Sequence, residues 1–304
     1  MENSTTAEAP GQIGVDKISN PDPFEITLSL ASNATSSEGE TLLRTVPHWL
    51  RVFGSRLAEV VIVVDLEPPE GRIAEFQRGQ SVPSELGDAI QVLEASDPRV
   101  RFVSLSSLEP VAIQRRWFGN ARPIRCQAGT PLLAFAAAVD QANSNIVLRC
   151  DSDMLFCERG WLMNEAIPSL QRGVDVYEPP RQQIEGKETA ASSRAFMVSK
   201  ETLYCHLPLR NLRLDPLRAL HRKMNGRPPW LALEQMITRS AKKGQLSHRI
   251  GQNIDLGFSL HGLKRAWTAA PWFPDVIRAV ESGQVPIGQQ KFLDLHPELW
   301  GIQL

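Results

Sequence analysis

Short, continuous apolar runs alternate along this chain with segments of helical periodicity, and no other feature of the sequence limits the fold as strongly. Four such runs lie in the first half of the chain: EITLSLASN, VVIVVD, VRFVSL and IVLRC. Strands that are buried on both faces have this continuous apolar character, whereas strands with one wet face alternate apolar and polar residues. Strands of this kind, alternating with helices, predict an α/β fold with an open, mostly parallel, twisted sheet and helices on both faces.

Helical segments separate the predicted strands. After the first strand, Ser37 and Glu40 have the spacing of a capping box, and the apolar residues that follow recur at helical spacing. Pro47 lies within this helix and should kink it. Further along, AIQVLEA is a short helical segment, and Thr130 and Pro131 have the residue types of a cap and a first helical residue before LLAFAAAVDQA. Helices therefore connect the strands, as a parallel sheet requires.

The second half of the chain is less regular. GWLMNEAIPSLQRG is predicted to be helical, VDVYE and AFMVS are predicted strands, and WLALEQMITRSAKKG is predicted to be an amphipathic helix that ends at Gly244. The run GFSLH does not follow a convincing strand, and its surroundings favour a loop. We expect a disordered leader over residues 1–23, a first half over residues 24–160 and a second half over residues 161–304, the two halves being fused in one globular domain.

Composition excludes several classes of protein. The 304-residue chain is 42% hydrophobic and has a formal net charge of -1, so it can bury a sizeable core but lacks the global positive field that draws proteins to nucleic acid. No apolar run reaches the roughly 18 residues that span a bilayer, and the polar start lacks the features of a secretory signal, so we expect a cytoplasmic protein without a transmembrane segment. The four cysteines include no C-x-x-C pair and are interpreted as reduced packing residues.

Polar and acidic residues follow three of the predicted strands, at the points where the strands end. They are Asn33, Asp65 and the triplet Asp151-Ser152-Asp153. Open α/β sheets bind their ligands at the carboxyl ends of the strands. Side chains alternate along an extended backbone, so we expect both carboxylates of the triplet to lie on one side, where hard oxygen atoms suit Mg²⁺ or Mn²⁺. The triplet therefore predicts a divalent metal site.

The order of these runs, together with NIVLRCDSDMLF, resembles the GT-A fold of nucleotide-sugar transferases, most closely the type of glycosyltransferase family 2. The resemblance covers roughly Phe24 to Gly262. It implies a metal-dependent glycosyltransferase of the hexosyltransferase type, which moves a sugar from a UDP- or GDP-sugar to a hydroxyl group of a carbohydrate or small molecule. Residues 24–160 would then be the nucleotide-sugar-binding half, and residues 161–304 the acceptor-binding half with the C-terminal segment.

The same resemblance implies roles for the residues at the strand ends. Asp65 would contact the base of the nucleotide, and the first strand's end would line the same pocket with Ala31, Ser32 and Asn33. The triplet would match the family's DxD motif, in which Asp151 and Ser152 contact the nucleotide-sugar, and Asp153 and Asp151 bind the metal. Two departures leave the base and the sugar unassigned: Leu66-Glu67-Pro68 replaces a frequent Asp-Gly-Ser, and Leu133-Ala134-Phe135 replaces a frequent Ala-Arg-Asn.

Three residues outside the strand ends fit this interpretation. Glu234 lies where inverting members of the family carry the general base that accepts the proton of the acceptor hydroxyl, although a solvated glutamate on an amphipathic helix stays possible. His261 matches the late histidine that completes the metal site in several GT-A enzymes, and the alternative for it is a packing or surface role. Arg125, in the basic cluster before the triplet's helix, is a candidate clamp for the diphosphate.

Other classes of enzyme are disfavoured by missing motifs. The sequence has no G-x-G-x-x-G loop, no G-x-x-x-x-G-K-[ST] loop and no H-E-x-x-H. A sugar nucleotidyltransferase shares the sheet and the metal aspartates, but that class usually has a Gly-rich, Arg-containing loop after the first strand, where this chain has ASNATSSEG. An inert domain that binds nucleotide-sugar or acts as a scaffold remains an alternative. The hypothesis that we carry forward is an inverting, metal-dependent sugar transfer.

Overall fold

The chain folds around one large sheet and one small one. In the computed structural model, the described residues are 25–33, 36–65, 84–108, 113, 129–180, 195–205, 224, 233–260 and 273–283. Within them the strands are β1 (Ile26–Asn33), β2 (Leu57–Asp65), β3 (Val100–Ser104), β4 (Ile146–Cys150), β5 (Leu155–Glu158), β6 (Val176–Glu178), β7 (Ala195–Ser199), β8 (His248–Ile250) and β9 (Gly257–Leu260). The large sheet has the strand order β3-β2-β1-β4-β7-β6-β8, and the small sheet pairs β5 with β9.

The large sheet is mixed but mostly parallel. Strand β1 is parallel to both of its neighbours, β2 and β4, and β2 is parallel to β3. Strand β7 is antiparallel to β4 and β6, whereas β8 is parallel to β6. The predicted α/β class is therefore confirmed, with β7 as the strand that reverses direction. The predicted leader over residues 1–23 lies outside the described residues.

Helices precede or follow most of these strands. They are α1 (Ser36–Phe53), α2 (Ser84–Ser96), α3 (Gly129–Gln141), α4 (Ile167–Gln171), α5 (Lys200–Cys205), α6 (Leu233–Lys242) and α7 (Phe273–Glu281). Helix α1 begins at Ser36 and contains Pro47, so Ser37, which we expected to cap the helix from outside, lies within its first turn. A π-helical turn over Leu162–Ala166 leads into α4. None of the helices in the described ranges is long and apolar enough to cross a membrane.

Apolar side chains cover both faces of the large sheet. On one face, Leu28 and Ile62 pack in a cluster with Trp49 of α1 and with apolar residues of α2. On the other face, Val61 packs in a second cluster with Phe135 of α3. Because successive residues of a strand point to opposite faces, continuous apolar runs supply both clusters. Helices therefore cover both faces, as the sequence predicted.

The small sheet corrects one prediction. The run over 257–260, for which we favoured a loop, forms strand β9 and pairs antiparallel with β5. Its partner strand lies far away in the sequence, so no local pattern reveals the pairing. Helix α7 packs on this sheet, with Phe273 and Val276 in one cluster with Leu155 and Cys157. Strand β5, which follows the triplet, is thereby held by both β9 and α7.

Candidate functional site

Three parallel strands bring their carboxyl ends to one edge of the large sheet. Strands β1 and β2 end level with each other, with Asn33 opposite Asp65. Strand β4 lies beside β1 and ends at Cys150, directly before the triplet. The positions of Asn33, Asp65 and Asp151 at strand ends are thus as predicted. The side chains at positions 31 to 33 and 65 lie outside what the structure describes.

The gap between β1 and β4 is a topological switch point. From β1 the chain adds β2 and then β3 on one side, and it returns to place β4 on the other side of β1. The strand order therefore reverses between β1 and β4. Ligands of open α/β sheets bind in the crevice outside the carboxyl ends of the strands at such a point. The triplet is the first segment to leave β4 at this point.

The triplet is a turn, which corrects the expectation of an extended backbone. The Met154 N–H group donates a hydrogen bond of 3.2 Å to the Asp151 carbonyl oxygen and so closes a four-residue turn. Ser152 is buried, whereas Asp151 and Asp153 are partly exposed. Aspartate and serine favour turns because their side chains compete with the backbone for hydrogen bonds. The turn, rather than strand alternation, leaves both carboxylates accessible.

Helix α1 holds the chain that leaves the turn. The Trp49 indole Nε1 donates a hydrogen bond of 2.8 Å to the Met154 carbonyl oxygen. The backbone N–H of Phe156 donates to His48 Nε2 at 2.9 Å, and His48 Nδ1 lies 2.9 Å from the Glu281 carboxylate of α7. Both α1 side chains are fully buried. Burial lowers the pKa of His48 and outweighs the opposing effect of Glu281, so the neutral imidazole can accept at Nε2 while it donates at Nδ1.

An arginine that the sequence analysis missed is paired with the triplet. Arg149 Nη2 lies 2.8 Å from Asp151 Oδ1, and the Arg149 and Asp151 side chains are 13% and 35% exposed. Arg149 lies in β4, opposite Ser29 of β1 and Phe196 of β7. The sequence signal for this pair was the spacing of two residues between Arg149 and Asp151, because residues two apart in a strand lie on one face. Between them, Cys150 is buried, and burial raises the pKa of its thiol well above the ordinary value, consistent with a packing residue.

Strand β9 returns the chain to the triplet. Leu260, the last residue of β9, is opposite Leu155, which is two residues beyond Asp153. The pairing requires Gly257, whose φ is +113° and where an added β-carbon would overlap the Cys157 carbonyl oxygen. His261 follows Leu260 directly and lies outside the described residues. The described chain therefore reaches the neighbourhood of the triplet one residue before this predicted ligand.

The other predicted residues are described in part or not at all. Glu234 is the second residue of α6, whose Ile237 packs in the cluster that also contains Val147 and Phe196. The side chain of Glu234 is not among those described, and Arg125 lies outside the described residues. The roles that the sequence predicted for Glu234 and Arg125 stay predictions.

The turn offers hard oxygen ligands but no complete metal cage. Within the described ranges, no three His, Cys, Asp or Glu side chains lie close enough together to hold a metal ion by themselves. Mg²⁺ and similar cations commonly bind through one or two carboxylates together with the phosphates of a substrate. The two carboxylates of Asp151 and Asp153 fit a cation that is shared with a phosphate-bearing ligand.

Comparisons with known proteins find similarity only among solved structures. No family model matches the chain, and no curated protein matches it. The mannosyltransferase PcManGT from Pyrobaculum calidifontis, in complex with GDP-Man and Mn²⁺, is 16% identical, with a TM-score of 0.41, over 77% of this chain and 57% of that one. Glucosyl-3-phosphoglycerate synthase from Mycobacterium tuberculosis, in complex with Mn²⁺, UDP and phosphoglyceric acid, is 11% identical, with a TM-score of 0.41, over 85% of this chain and 76% of that one.

A third similar structure is mouse xyloside xylosyltransferase 1, which is 11% identical, with a TM-score of 0.40, over 85% of this chain and 93% of that one. This chain therefore spans little more than half of the mannosyltransferase but most of the xylosyltransferase. The α/β architecture itself is established by the strand order and register of this chain.

Proposed function

We propose that this chain is a metal-dependent glycosyltransferase that moves a sugar from a UDP- or GDP-sugar to a hydroxyl group of an acceptor. One observation carries the proposal: two accessible carboxylates, those of Asp151 and Asp153, lie in a turn at the carboxyl end of the central strand, at the switch point of an open α/β sheet. Such a crevice accommodates a nucleotide, and paired carboxylates hold a cation against its phosphates.

The nucleotide binds along the ends of β1 and β2 in this proposal. Asp65 contacts the base, and residues 31–33 line the same pocket. Support comes from the register, because Asn33 and Asp65 are opposite each other at the ends of neighbouring strands. Arg125 contacts the diphosphate, since a guanidinium group makes paired hydrogen bonds with phosphate oxygens. The sugar then extends from the diphosphate towards the turn, where Ser152 and Asp151 contact the nucleotide-sugar.

Asp153 and Asp151 hold the divalent metal, Mn²⁺ or Mg²⁺, and His261 completes its ligands. The support for His261 is that β9 ends opposite the segment that follows Asp153. When bound, the cation supplies positive charge that offsets the charge of the departing diphosphate. The PcManGT and synthase complexes named above contain Mn²⁺ with a nucleotide ligand. The proposal rests on the residues of this chain and extends the same class of ligand to it.

The acceptor hydroxyl loses its proton to Glu234, and the transfer inverts the configuration at the anomeric carbon. In this step a C–O bond forms between the acceptor oxygen and the anomeric carbon, while the bond from that carbon to the diphosphate oxygen breaks. The proton moves to the Glu234 carboxylate. Helix α6 supports this assignment because its Ile237 packs on the same side of the sheet as Val147 of β4.

A thermal-shift panel tests this proposal. The wild-type protein is heated with UDP, GDP, ADP or CDP, each with and without Mn²⁺, because a ligand that binds only the folded state raises the unfolding temperature. We expect UDP or GDP to raise it only when Mn²⁺ is present, and Asp153→Asn to abolish the shift. Asp97→Asn is the matched control, because Asp97 pairs with Arg99 away from the triplet. Absence of any Mn²⁺-dependent shift with all four nucleotides would contradict the proposal.

A further inference from the structure

We propose that Arg149 is a positioning residue, which holds the Asp151 carboxylate and sets the charge of the turn so that it binds a divalent cation well only together with nucleotide diphosphate. This inference rests on the proposed function and adds a residue that the DxD resemblance does not contain. Its basis is the 2.8 Å ion pair between Arg149 Nη2 and Asp151 Oδ1 at the end of β4.

Arg149 is fixed by the sheet that surrounds it. It belongs to β4, which is hydrogen-bonded to β1 on one side and β7 on the other. Its side chain is only 13% exposed, so its position is set by packing rather than by solvent. Asp151 lies just beyond the last strand residue and is more exposed. A guanidinium group that is fixed by the sheet and binds one carboxylate oxygen of the turn orients that carboxylate before any ligand arrives.

The guanidinium group has a further donor at the same place. Arg149 Nη1 is buried and has no hydrogen-bond partner among the described residues. A buried donor of this kind costs free energy in the unliganded protein, and an ion pair kept only for stability would be expected to satisfy both nitrogens. This cost is consistent with a role that favours ligand binding over stability of the unliganded fold.

The charge of the turn affects how strongly it binds a free cation and an anionic nucleotide. Two aspartates and one arginine leave one negative charge over residues 149–153. Without the arginine there would be two negative charges, which attract a free cation more strongly and repel an anionic nucleotide diphosphate more strongly. Arg149 should therefore weaken binding of Mn²⁺ alone and strengthen binding of UDP or GDP in the presence of Mn²⁺. A purely structural residue would affect both affinities in the same direction.

The test compares Arg149→Met with the wild type by titration calorimetry and by the electron paramagnetic resonance signal of free Mn²⁺. For Mn²⁺ alone we expect binding about tenfold tighter, the effect of one unit charge about 6 Å from a doubly charged cation in a water-like dielectric. For UDP or GDP at saturating Mn²⁺, using whichever binds the wild type, we expect binding about tenfold weaker, because the charge-assisted pair that orients the Asp151 carboxylate is lost. The unfolding temperature without ligand should change little, because removal of the unsatisfied buried donor offsets loss of the partly exposed ion pair.

Two further variants separate positioning from stability. Arg101→Met removes a comparable ion pair, 2.8 Å from Arg101 Nη2 to Glu59 Oε2, near the amino ends of β2 and β3. We expect it to bind both Mn²⁺ and nucleotide as the wild type does. Arg149→Lys keeps the charge without the planar fork, so Mn²⁺ alone should bind unchanged and nucleotide about threefold more weakly. This variant provides the test if Arg149→Met unfolds.

The outcomes distinguish this inference from the proposed function. If the wild type binds UDP or GDP with Mn²⁺ but Arg149→Met shifts both affinities in one direction, or shifts neither, the positioning role of Arg149 is wrong and the proposed function stands. Wild-type nucleotide affinity in Arg149→Lys, measured where Arg149→Met is unfolded, would overturn it equally. If the wild type binds neither nucleotide, both proposals fail. Shifts of opposite sign in Arg149→Met support both.

Discussion

Gly257 is the position at which adding one methyl group should most weaken the small sheet, and with it the support of the turn over residues 151–154. Gly257 has a φ of +113°, which L-residues with side chains rarely adopt. A β-carbon built there would overlap the Cys157 carbonyl oxygen and lie 3.0 Å from the Trp161 ring. The overlapped atom belongs to the backbone of β5, so it cannot move aside as the end of a flexible side chain would. Gly257→Ala should therefore strain the pairing of β5 with β9.

The cost has two parts. Strain of a residue in a sparsely populated backbone region costs about 1–3 kcal/mol, and overpacking of a filled site costs about 1–3 kcal/mol. Gly257→Ala should thus lower the free energy of unfolding by about 2–6 kcal/mol, a large part of the 5–15 kcal/mol typical of a domain. Gly244→Ala is the matched control, because Gly244 has a φ of +65° and nothing within 4 Å of an added β-carbon. It should cost only about 1 kcal/mol.

The assay is equilibrium urea unfolding followed by tryptophan fluorescence, with both variants and the wild type at the same pH. Nucleotide binding is then measured at a temperature where each variant is folded. Since β9 ends opposite Leu155, Gly257→Ala should also weaken Mn²⁺-dependent nucleotide binding, whereas Gly244→Ala should bind as the wild type does. If the two variants lose the same free energy of unfolding, the close contact with β5 does not constrain the fold and this reasoning is refuted.

Two predictions concern helix α1. Burial lowers the pKa of His48, so the unfolded state binds its proton more readily; as the pH falls below the ordinary histidine value of about 6.5, the wild type should lose up to about 1.4 kcal/mol per pH unit. His48→Gln, which does not titrate, should show a smaller loss in urea unfolding between pH 7 and 5.5, and equal slopes would contradict this. Trp49→Phe leaves the Met154 carbonyl without its indole donor and should cost about 1–3 kcal/mol at constant pH, whereas an unchanged free energy of unfolding would show that the hydrogen bond is unimportant.

The strands buried on both faces were predictable because burial permits few polar residues within them. The runs IVLRC and AFMVS coincide with β4 and β7, residue for residue. Their directions were not predictable in the same way, since β7 reverses the sheet and the relevant pairing is with β4, far away in the chain. Strand β9 was missed for a related reason: it has four residues, and its partner β5 and the special backbone of Gly257 give no periodic signal.

The candidate site was predictable in location but not in conformation. The ends of β1, β2 and β4 follow from where the apolar runs stop, and the triplet lies at one of these ends. An extended backbone was predicted through the triplet, although the residue types of Asp151 and Ser152 favour a turn. Arg149 was not predicted as a site residue, because a single polar residue in an apolar run was interpreted as an ordinary strand residue. Its ion pair depends on the turn, which places the Asp151 carboxylate within reach of the guanidinium group.

The most direct test of the central claim is the release of nucleotide diphosphate from a panel of UDP- and GDP-sugars, with and without Mn²⁺. It compares the wild type with Asp151→Ala/Asp153→Ala. We expect the wild type to release UDP or GDP from at least one sugar donor only with Mn²⁺, and the double variant to be slower by about 100-fold or more, because the charge that offsets the diphosphate is lost. Equal Mn²⁺-dependent release by the double variant, or no release by the wild type from any donor, would contradict the account.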